Sequence, residues 1–387
     1  MDFSLTEEQQ MLKDSVAKYV QNDYDFTTRR KSAASATAIS RDVWETFASL
    51  GWLTIPFAEE VGGIGGTIVD VSVIMEEFGR GLVVEPYVPT VLLGGELIAC
   101  SGAKELQSTW LEKIMTGQSQ AAFAYHEPQS RFQLNDVVTR AEKVAQGFCI
   151  TGKKAVVFNG AEADIIIVSA RTSGQQFDES GITLFAIDAN DAALVKQALV
   201  KQEYRLMDGQ KVADIELNGV VVAANSVVGE IDQGYQFMKP IIDRATIAVC
   251  AEALGIMEKL YKTTVQYSKT REQFGQPIGK FQALQHRMVD MFIAHELAKS
   301  VVLRAVCACH DNAETLQSDI AAMKVMVGKC AELIGREAIQ IHGGMGITDE
   351  LDVGHYVKRL LMIEVMFGNS AHHQQIFSKL NYPQKNV

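Results

Sequence analysis

The sequence has no apolar run long enough to cross a lipid bilayer. A transmembrane helix needs about 20 predominantly apolar residues, and Glu252 interrupts the most apolar long window, 246–257. The first ten residues, MDFSLTEEQQ, have neither the basic and apolar regions of a secretory signal nor the Arg- and Ser-rich composition of a transit peptide. We therefore expect a cytoplasmic protein without a membrane span.

The chain is also short of basic side chains. It has 36 Lys and Arg against 47 Asp and Glu, which gives a net charge of −11 and a pI near 5.3. A net negative charge repels the phosphate backbone of a nucleic acid, so general nucleic-acid binding is excluded. An anionic ligand has to be held by local Lys, Arg or backbone N–H groups.

Cysteine is sparse and scattered, without the density of a disulfide framework. The cluster Cys307-Ala-Cys309-His310 resembles half of a metal site, but a zinc site needs four ligands and no CxxC or spaced His pair completes it. We expect reduced, buried thiols and no metal. The six cysteines are Cys100, Cys149, Cys250, Cys307, Cys309 and Cys330.

What is present is an ordinary globular composition and a helical beginning. The 387 residues are 47% hydrophobic and 21% charged, which favours two or three folded domains. Thr6 and Gln9 form a capping box ahead of apolar residues at helical spacing. The Gly-rich stretch 62–66 has no strand before it and no Walker lysine after it, so it predicts a turn between helices. Further helical windows lie at 43–50, 69–78 and 106–115.

From about residue 121 the sequence pattern changes from helical spacing to short β-rich runs separated by turn signals. Their spacing is typical of an antiparallel barrel or sandwich. The runs are 148–151, 155–158, 165–170, 182–187 and 212–222. The turn signals are Asn159-Gly160, Ser173-Gly174, Asp208-Gly209 and Asn218-Gly219.

After Gly234 the helical period returns and continues almost to the end, which favours an antiparallel bundle. The fold class is therefore mainly α with a central β domain. Its segments are an N-terminal helical domain at 1–118, a middle β domain at 119–232 and a C-terminal four-helix bundle at 233–387. Three apolar stripes support the bundle: Ile247, Ala251, Leu254 and Met257; Leu284, Met288, Met291, Phe292 and Leu297; Ala322, Val325, Met326, Cys330, Leu333 and Ile334.

Two motifs near the end of the chain resemble flavin-binding signatures of the acyl-CoA dehydrogenase family. They are REQFGQPI at 271–278, followed by Phe281-Gln282, and QIHGGMG at 340–346. EP at 127–128, GKK at 152–154 and NG at 159–160 resemble the family's middle segment. The start MDF, EPQS at 127–130 and FG at 367–368 resemble the branch typified by the pimeloyl-CoA dehydrogenase small subunit.

The resemblance implies a flavoenzyme that oxidises an acyl-CoA thioester to the 2,3-enoyl-CoA. A carboxylate removes the α-proton, FAD accepts the β-hydride, and an electron-transferring flavoprotein takes the electrons. Lipid or dicarboxylate catabolism and a homo- or hetero-tetramer, a dimer of dimers, are implied with it. By the same resemblance, eight residues reach across a dimer interface to the neighbour's FAD: Arg271, Gln273, Phe274, Ile278, Gln282, Gln340, Gly343 and Gly344.

The catalytic carboxylate does not match the family pattern. The usual glutamate precedes a glycine in the last loop, and here Phe367 precedes Gly368. An alternative position on the first helix of the bundle holds Ala245. The nearest carboxylates are Asp243 and Glu364, for which a surface charge or a partner for Arg244 or Arg359 is the alternative role. Arg244 is also a candidate for binding the substrate.

The flavin-facing half departs too. QSRFQ at 129–133 replaces a Gly- and Ser-rich turn ending in Asp, and VVF at 156–158 replaces Trp-x-Thr. Asn369 keeps hydrogen-bonding capacity toward flavin or phosphate, whereas Ala371 has none.

Three hypotheses follow. The chain is a self-sufficient dehydrogenase whose base is Asp243, Glu364 or another residue. Alternatively, it is a non-catalytic subunit that completes the FAD site of a homologous large subunit. The third is another thioester enzyme, such as a hydratase or oxidase, for which the chain supplies no replacement nucleophile or metal.

Overall fold

The computed structural model describes residues 4–191 and 199–382. Its first part is helical, as the capping and periodicity predict. The N–H of Gln9 donates to Thr6 Oγ1 at 3.2 Å and the N–H of Thr6 donates to Gln9 Oε1 at 3.1 Å, so the capping box is confirmed. The helices are α1 (Glu7–Asn22), α2 (Phe26–Ala34), α3 (Arg41–Ser49), α4 (Ile68–Gly81), α5 (Glu96–Cys100) and α6 (Lys104–Met115), with 3₁₀ turns at Trp52–Thr54 and Glu59–Val61 and a π-helix at Val88–Gly95.

The middle part forms a mostly antiparallel sheet, in which β1 pairs with β4 in parallel. The strands are β1 (Ala121–Ala124), β2 (Arg140–Val144), β3 (Gly147–Phe158), β4 (Ile165–Arg171), β5 (Ile182–Asp188), β6 (Leu199–Arg205), β7 (Lys211–Val222) and β8 (Val227–Val228). Among the described strands, the order across the sheet is β6-β7-β3-β2-β4-β5-β8.

Two details of the predicted β pattern are wrong. The runs 148–151 and 155–158 belong to a single strand, β3, which carries a bulge between Lys154 and Val157. The Asn218-Gly219 signal is a bulge inside β7 rather than a turn, because Gly219 at φ 78° is the residue skipped between two register positions. A glycine with positive φ serves a bulge as readily as a hairpin. Strands β1, β2 and β6 were not among the predicted runs.

The last part is the predicted helical bundle, with a short hairpin inserted. Helix α9 packs against α8, α10 and α11. The elements are α7 (Gly234–Thr270), the hairpin of β9 (Glu272–Gln273) and β10 (Gln276–Pro277), a 3₁₀ turn at Ile278–Lys280, α8 (Gln282–His310), α9 (Leu316–His342), a 3₁₀ turn at Gly343–Ile347, α10 (Val353–Val365) and α11 (Ser370–Asn381). The order of helices, sheet and helices confirms the fold class.

One predicted apolar stripe is only partly right. In α8, Met291 is fully buried as predicted, but Phe292 and Leu297 are 48% and 50% exposed. Ala294, Ala298 and Ala305 are buried beside Met291, because their small side chains let neighbouring backbones approach closely. The α7 stripe is confirmed, since Ile247, Ala251, Leu254 and Met257 are all buried.

The backbone divides into two compact units. The first comprises the chain up to Arg30, Ile68–Val83 and the chain from Thr246; the second comprises Lys31–Thr67 and Val84–Ala245. In the described residues, no helix combines the length and apolarity needed for a membrane span. All six cysteines are free, but burial holds only for Cys250 and Cys330, and Cys100 is exposed.

An ion pair is fully enclosed in the second unit. Lys154 Nζ lies 2.6 Å from Glu127 Oε1, and both side chains have 0% exposure. Lys154 also donates to Ser169 Oγ at 3.0 Å, and Glu127 accepts the N–H of Val138 at 2.9 Å and that of Thr139 at 3.2 Å. Burial raises the pKa of Glu127, but the Lys154 charge and these donors outweigh burial and hold the pKa of the carboxyl below its usual value. The pair therefore ties Glu127 to β3 and β4.

Replacing Lys154 tests this pair. Lys154→Met leaves the Glu127 carboxylate buried without its cation, and breaking a buried pair in this way costs about 3–5 kcal/mol. We expect the free energy of unfolding in urea at neutral pH to fall by that amount. Lys153→Met is the matched control, because Lys153 is 68% exposed and pairs with Glu216 at the surface. Equal losses in the two variants would contradict the assignment.

Candidate functional site

The REQFGQPI motif folds into a protruding hairpin at the end of α7. Phe274 at φ 55° and Gly275 at φ 76° make the turn, a left-handed pair that suits the twist of two-residue hairpins. The N–H of Ile278 donates to the carbonyl of Arg271 at 2.8 Å and closes the hairpin. Ile278 is buried, so its side chain anchors the hairpin within the first unit.

The hairpin tip exposes an aromatic ring and polar side chains to solvent. The Phe274 side chain is 92% exposed, and its ring meets Phe281 edge to face at 6.1 Å between centroids. Arg271 and Gln273 are also exposed. Within 4–191 and 199–382, no carboxylate lies within salt-bridge distance of Arg271. The Arg271 guanidinium therefore remains available to an anion from outside this part of the chain.

The QIHGGMG motif ends helix α9 and exposes its backbone. Gly343 has φ 59° and ψ −140°, a combination that side chains with a Cβ rarely adopt. At Gly343 and at Gly344, no described atom lies within 4 Å of the point that a Cβ would occupy. Gln340 is exposed one turn before them. The backbone at these glycines is thus open to close approach by a ligand.

A stacked pair of rings brings the two motifs to one end of the first unit. Tyr267 lies one helical turn before Arg271, and its ring stacks on His342 with centroids 4.3 Å apart and planes at 28°. His342 directly precedes Gly343, and its Nδ1 donates to the Ala338 carbonyl at 2.8 Å. We call residues 271–278 and 340–347 the Arg271 surface. Gln282 is exposed at the first position of α8.

The last loop presents Phe367 where the family pattern has a base. Phe367 has φ 56°, which strains a bulky residue. Its carbonyl accepts a hydrogen bond from His373 Nε2 at 3.0 Å. Gly368 follows at φ 104°, where a Cβ would lie 2.7 Å from the His372 ring. The turn is therefore tightly specified, although its side chain has no acid–base group.

Glu364 and Asn369 are engaged in holding this turn. Glu364 Oε1 accepts the N–H of Ser370 at 2.8 Å, and Asn369 Oδ1 accepts that of His372 at 2.9 Å, so both cap the start of α11. The buried Lys324 donates from Nζ to the carbonyls of Ile363 at 2.6 Å and Glu364 at 3.1 Å. A carboxylate and an amide of the chain thus already occupy the helix N-terminus that attracts anions.

The remaining predicted residues have partners within the second unit. Lys239 Nζ lies 2.5 Å from both carboxylate oxygens of Asp243. Arg244 Nε lies 2.9 Å from Glu96 Oε2. Burial raises the pKa of Glu96 to about 7, against the opposing charge of Arg244. In the first unit, Arg359 pairs bidentately with Glu252 at 2.6 and 2.7 Å, so Arg244 and Arg359 both have other carboxylate partners than those considered from the sequence.

Four backbone N–H groups in and just after the loop that follows Glu127 are bonded internally. The N–H groups of Ser130 and Gln133 donate to carbonyls of the same loop, at 3.0 and 2.9 Å. Those of Val138 and Thr139 donate to the carboxylate of Glu127. Because these donors are already bonded, they are not available to a phosphate.

The VVF segment keeps an unusual backbone at Val156, where the family's Trp ring is replaced by an aliphatic side chain. Val156 sits in the β3 bulge at φ 52°, where a β-branched residue is a genuine outlier. Its N–H donates to Asp214 Oδ1 at 2.8 Å, and the Tyr204 hydroxyl donates to the same oxygen at 2.9 Å. Two hydrogen bonds thus stabilise a conformation that valine disfavours.

Comparison with known proteins identifies the family. Models of the acyl-CoA dehydrogenase N-terminal, middle and C-terminal domains match residues 6–118, 122–220 and 232–379. Together they match most of the chain, which therefore belongs to the acyl-CoA dehydrogenase family. Members of this family are FAD-dependent oxidoreductases.

Individual relatives agree with this assignment. The probable acyl-CoA dehydrogenase YngJ of Bacillus subtilis is 28% identical over 96% of this chain and 97% of its own. Butyryl-CoA dehydrogenase of Megasphaera elsdenii has a TM-score of 0.87 at 25% identity over 98% and 99% of the two chains. The fold is also shared by a chain of the ChsE4–ChsE5 complex of Mycobacterium tuberculosis, at a TM-score of 0.87, 24% identity and full coverage of both chains.

The residues fit FAD unequally. The Arg271 surface has a free guanidinium, open glycine backbone and an exposed aromatic ring, which suit a dinucleotide. In the loop after Glu127 the N–H groups of Ser130 and Gln133 are bonded internally, and Phe367 has no acid–base group. The described residues contain no group of three or more His, Cys, Asp or Glu side chains suited to a metal ion. Neither the Tyr267 stack nor the strain at Val156 was recognised from the sequence; positive φ at a valine leaves no sequence signal.

Relieving the strain at Val156 gives a measurable change in stability. Val156→Gly removes a penalty of about 1–2 kcal/mol for a left-handed conformation, which exceeds the entropic cost of glycine, about 0.5–1 kcal/mol. Both Val156→Gly and its control, Val221→Gly on the extended strand β7, lose a partly buried side chain and incur the cost of glycine; Val221 is 37% exposed. Only Val156→Gly also relieves strain, so we expect its urea midpoint to lie above that of the control. A lower midpoint for Val156→Gly than for Val221→Gly would contradict the strain assignment.

Proposed function

We propose that this chain is one subunit of a heteromeric acyl-CoA dehydrogenase and that it contributes the Arg271 surface to FAD held by a homologous large subunit. The observation that carries the proposal is a contrast in donor use. At the Arg271 surface the guanidinium has no carboxylate partner in the described chain and two glycines are uncovered. By contrast, the N–H groups of Ser130 and Gln133 in the loop after Glu127 are bonded to carbonyls of that loop. Those of Val138 and Thr139 are bonded to the Glu127 carboxylate.

Each residue of the surface has a distinct role in this proposal. Arg271 pairs with the pyrophosphate through its planar fork of donors. Gly343 and Gly344 let their backbone approach the dinucleotide, and Gln273, Gln282 and Gln340 offer amides to its polar edges. Phe274 covers an apolar part of the cofactor and loses its exposure to water. Ile278 fixes the hairpin from inside.

The rest of the chemistry is divided between the subunits. FAD, when bound, supplies the hydride acceptor for oxidation of the α,β bond of an acyl-CoA thioester to the 2,3-enoyl-CoA. The homologous subunit supplies the base, because Phe367 has no group to accept a proton. An electron-transferring flavoprotein receives the electrons, and the assembly is a dimer of dimers. The fold occurs in a two-protein assembly, the ChsE4–ChsE5 complex.

Finer assignments belong to the same proposal. We assign the chain to the branch of the pimeloyl-CoA dehydrogenase small subunit, with lipid or dicarboxylate catabolism as its setting, on the EPQS and FG motifs. We divide it into segments 1–118, 119–232 and 233–387. A cytoplasmic location is supported by six free cysteines. Asn369 and Arg244 remain candidate cofactor and substrate ligands, although each already has a partner in its own unit.

Flavin content of the purified chain and of the co-purified pair tests the proposal. The lone chain is expected to hold little FAD, whereas the pair with its homologous subunit holds FAD in a fixed ratio. Arg271→Gln removes a charged hydrogen-bond donor worth about 1.5–3 kcal/mol, so FAD affinity of the pair should fall at least about tenfold at an unchanged subunit ratio.

Arg336→Gln is the matched control, since Arg336 lies on α9, is 70% exposed and lies 3.9 Å from Glu332. It should leave the flavin content of the pair unchanged. A stoichiometric flavin spectrum together with acyl-CoA turnover by the lone chain would contradict the heteromer proposal.

A self-sufficient enzyme is the second candidate, and one observation favours it. Glu364 Oε2 is buried and has no hydrogen-bond partner among the described residues, so half of that carboxylate is uncommitted. Glu364→Gln and Asp243→Asn test the two candidate bases through exchange of the acyl-CoA α-proton with deuterated water. If the heteromer proposal is correct, the lone chain does not exchange the acyl-CoA α-proton through either carboxylate, so neither variant changes its exchange rate. Exchange by the lone chain that either amide abolishes, with folding retained, identifies the base and overturns that proposal.

A further inference from the structure

The middle of α8 is apolar on almost every side. Between 288 and 298 the side chains with ionisable groups are Asp290, His295 and Glu296. A helix that is apolar all round belongs in the interior of a structure, yet one face of α8 remains outside. We call the four large side chains on that face the α8 stripe: Val289, Phe292, Ile293 and Leu297, which are 53%, 48%, 49% and 50% exposed.

Packing beneath the α8 stripe holds it in place. The Phe292 ring meets Tyr261 of α7 edge to face, with centroids 5.9 Å apart. Tyr261 in turn packs on His295 at 5.3 Å, and His295 is only 5% exposed. An ordered apolar surface loses little conformational entropy when a partner covers it. A contiguous exposed patch of this kind marks a protein interaction site.

The α8 stripe continues from the Arg271 surface. Gln282 precedes Val289 by seven residues, so the two side chains face the same way two turns apart, about 10 Å along the helix axis. Phe281, just before Gln282, meets the Phe274 ring of the hairpin tip edge to face, with centroids 6.1 Å apart. A partner that holds FAD against the Arg271 surface and reaches Gln282 therefore also lies over α8. The inference rests on the proposed function for the identity of that partner.

Two carboxylates beside the α8 stripe limit which partner fits. Asp290 and Glu296 lie three residues before and after Ile293, and three residues correspond to about 300° of helical rotation, so one flanks each side of it. Asp290 is exposed and forms no ion pair within the described residues. Glu296 is 48% exposed and lies 3.1 Å from Nδ1 of the buried His295. No Lys or Arg occurs between 288 and 298 to balance the two charges.

A second copy of the chain is therefore a poor partner for this face. In a symmetric contact between two copies the same patch meets itself, so Asp290 and Glu296 of both copies, four carboxylates in all, come together around apolar side chains. Like charges brought together across an interface disfavour the wrong partner. A partner with Lys or Arg at the matching positions gains from the same two carboxylates.

We propose that the α8 stripe is a docking surface for the homologous large subunit, and that Asp290 and Glu296 select that subunit over a second copy of this chain. The covering element of the large subunit is apolar at its centre and places a Lys or Arg side chain beside each carboxylate. The apolar contact supplies affinity, and the carboxylates supply the choice of partner.

A charge in the α8 stripe tests the docking surface. Leu297→Asp places a carboxylate in the apolar centre of the contact, so the dissociation constant of the co-purified pair, measured by sedimentation, should rise at least about tenfold. Leu361→Asp is the matched control, since Leu361 is 48% exposed on α10 of the same unit and lies outside the α8 stripe. Both lone chains should unfold at an unchanged temperature. An unchanged dissociation constant for Leu297→Asp, or an equal rise in the control, would overturn the proposal.

A charge reversal tests the choice of partner. We expect the lone wild-type chain to sediment as a monomer. Asp290→Lys turns the four like charges of a contact between two copies into two of each sign, so self-association should strengthen. The same change sets a cation against the Lys or Arg of the large subunit, so the pair should weaken at least about tenfold. General damage to the chain does not move these two equilibria in opposite directions.

Asp14→Lys on α1 is the control for the charge reversal. It makes the same change of charge at another exposed aspartate and should alter neither self-association nor the pair. If the Asp290→Lys chain self-associates no more than wild type, selection of the partner by these carboxylates is refuted.

Sedimentation and flavin content separate this inference from the proposed function. If Leu297→Asp separates the pair while Arg271→Gln leaves its flavin content unchanged, the docking surface is supported and the contact of Arg271 with FAD is refuted. If the pair persists in Leu297→Asp and loses flavin in Arg271→Gln, the docking surface is refuted and the proposed function stands. A wild-type lone chain that sediments as an oligomer, and that Leu297→Asp converts to a monomer, would assign the α8 stripe to contacts between copies and overturn the choice of partner.

Discussion

A backbone or side-chain donor that is already bonded inside the chain cannot also bind a cofactor, and this constraint separates the candidate sites of the protein. In the second unit, Glu127 accepts from two backbone N–H groups and from the buried ammonium of Lys154. That network stabilises the loop after β1 and uses the backbone donors of Val138 and Thr139. In the first unit, the glycine backbone at 343–344 and the guanidinium of Arg271 are left open. The same fold thus bonds its donors internally in the second unit and leaves donors open to a ligand in the first.

Two positions at which the sequence departs from the family pattern nevertheless keep a demanding backbone. Val156 and Phe367 both have positive φ, a conformation that costs free energy in residues with large or branched side chains. Dedicated contacts maintain each one: Asp214 accepts the N–H of Val156, and His373 donates to the carbonyl of Phe367. Lys324 further fixes the end of α10 before the second turn. Both departures from the family pattern thus keep a tightly held backbone, although neither Val156 nor Phe367 has an acid–base group.

Local patterns predicted the fold well, and they failed where a distant contact decides. Periods of two and about 3.6 residues indicated the sheet and the helices, and the motifs indicated Arg271 and Gly343 by resemblance. The bulge at Gly219 was mistaken for a turn because glycine with positive φ serves both. The exposed face of α8 was mistaken for core because alanine was undervalued as a packing surface. The contact of Arg29 with His355 joins residues 326 positions apart, and no local pattern reports such a pair.

The net charge of −11 explains why an unpaired arginine matters at the Arg271 surface. In a chain with more acidic than basic side chains, several arginines find a carboxylate: Arg80, Arg244 and Arg359 are all held in ion pairs. Arg271 is exposed at the base of a hairpin and has no carboxylate partner in the described chain. Because the mean field repels a dinucleotide, binding of its phosphates requires a cation that the chain has not neutralised itself. An unpaired arginine beside open glycines meets that requirement, and a paired arginine at the same place would not.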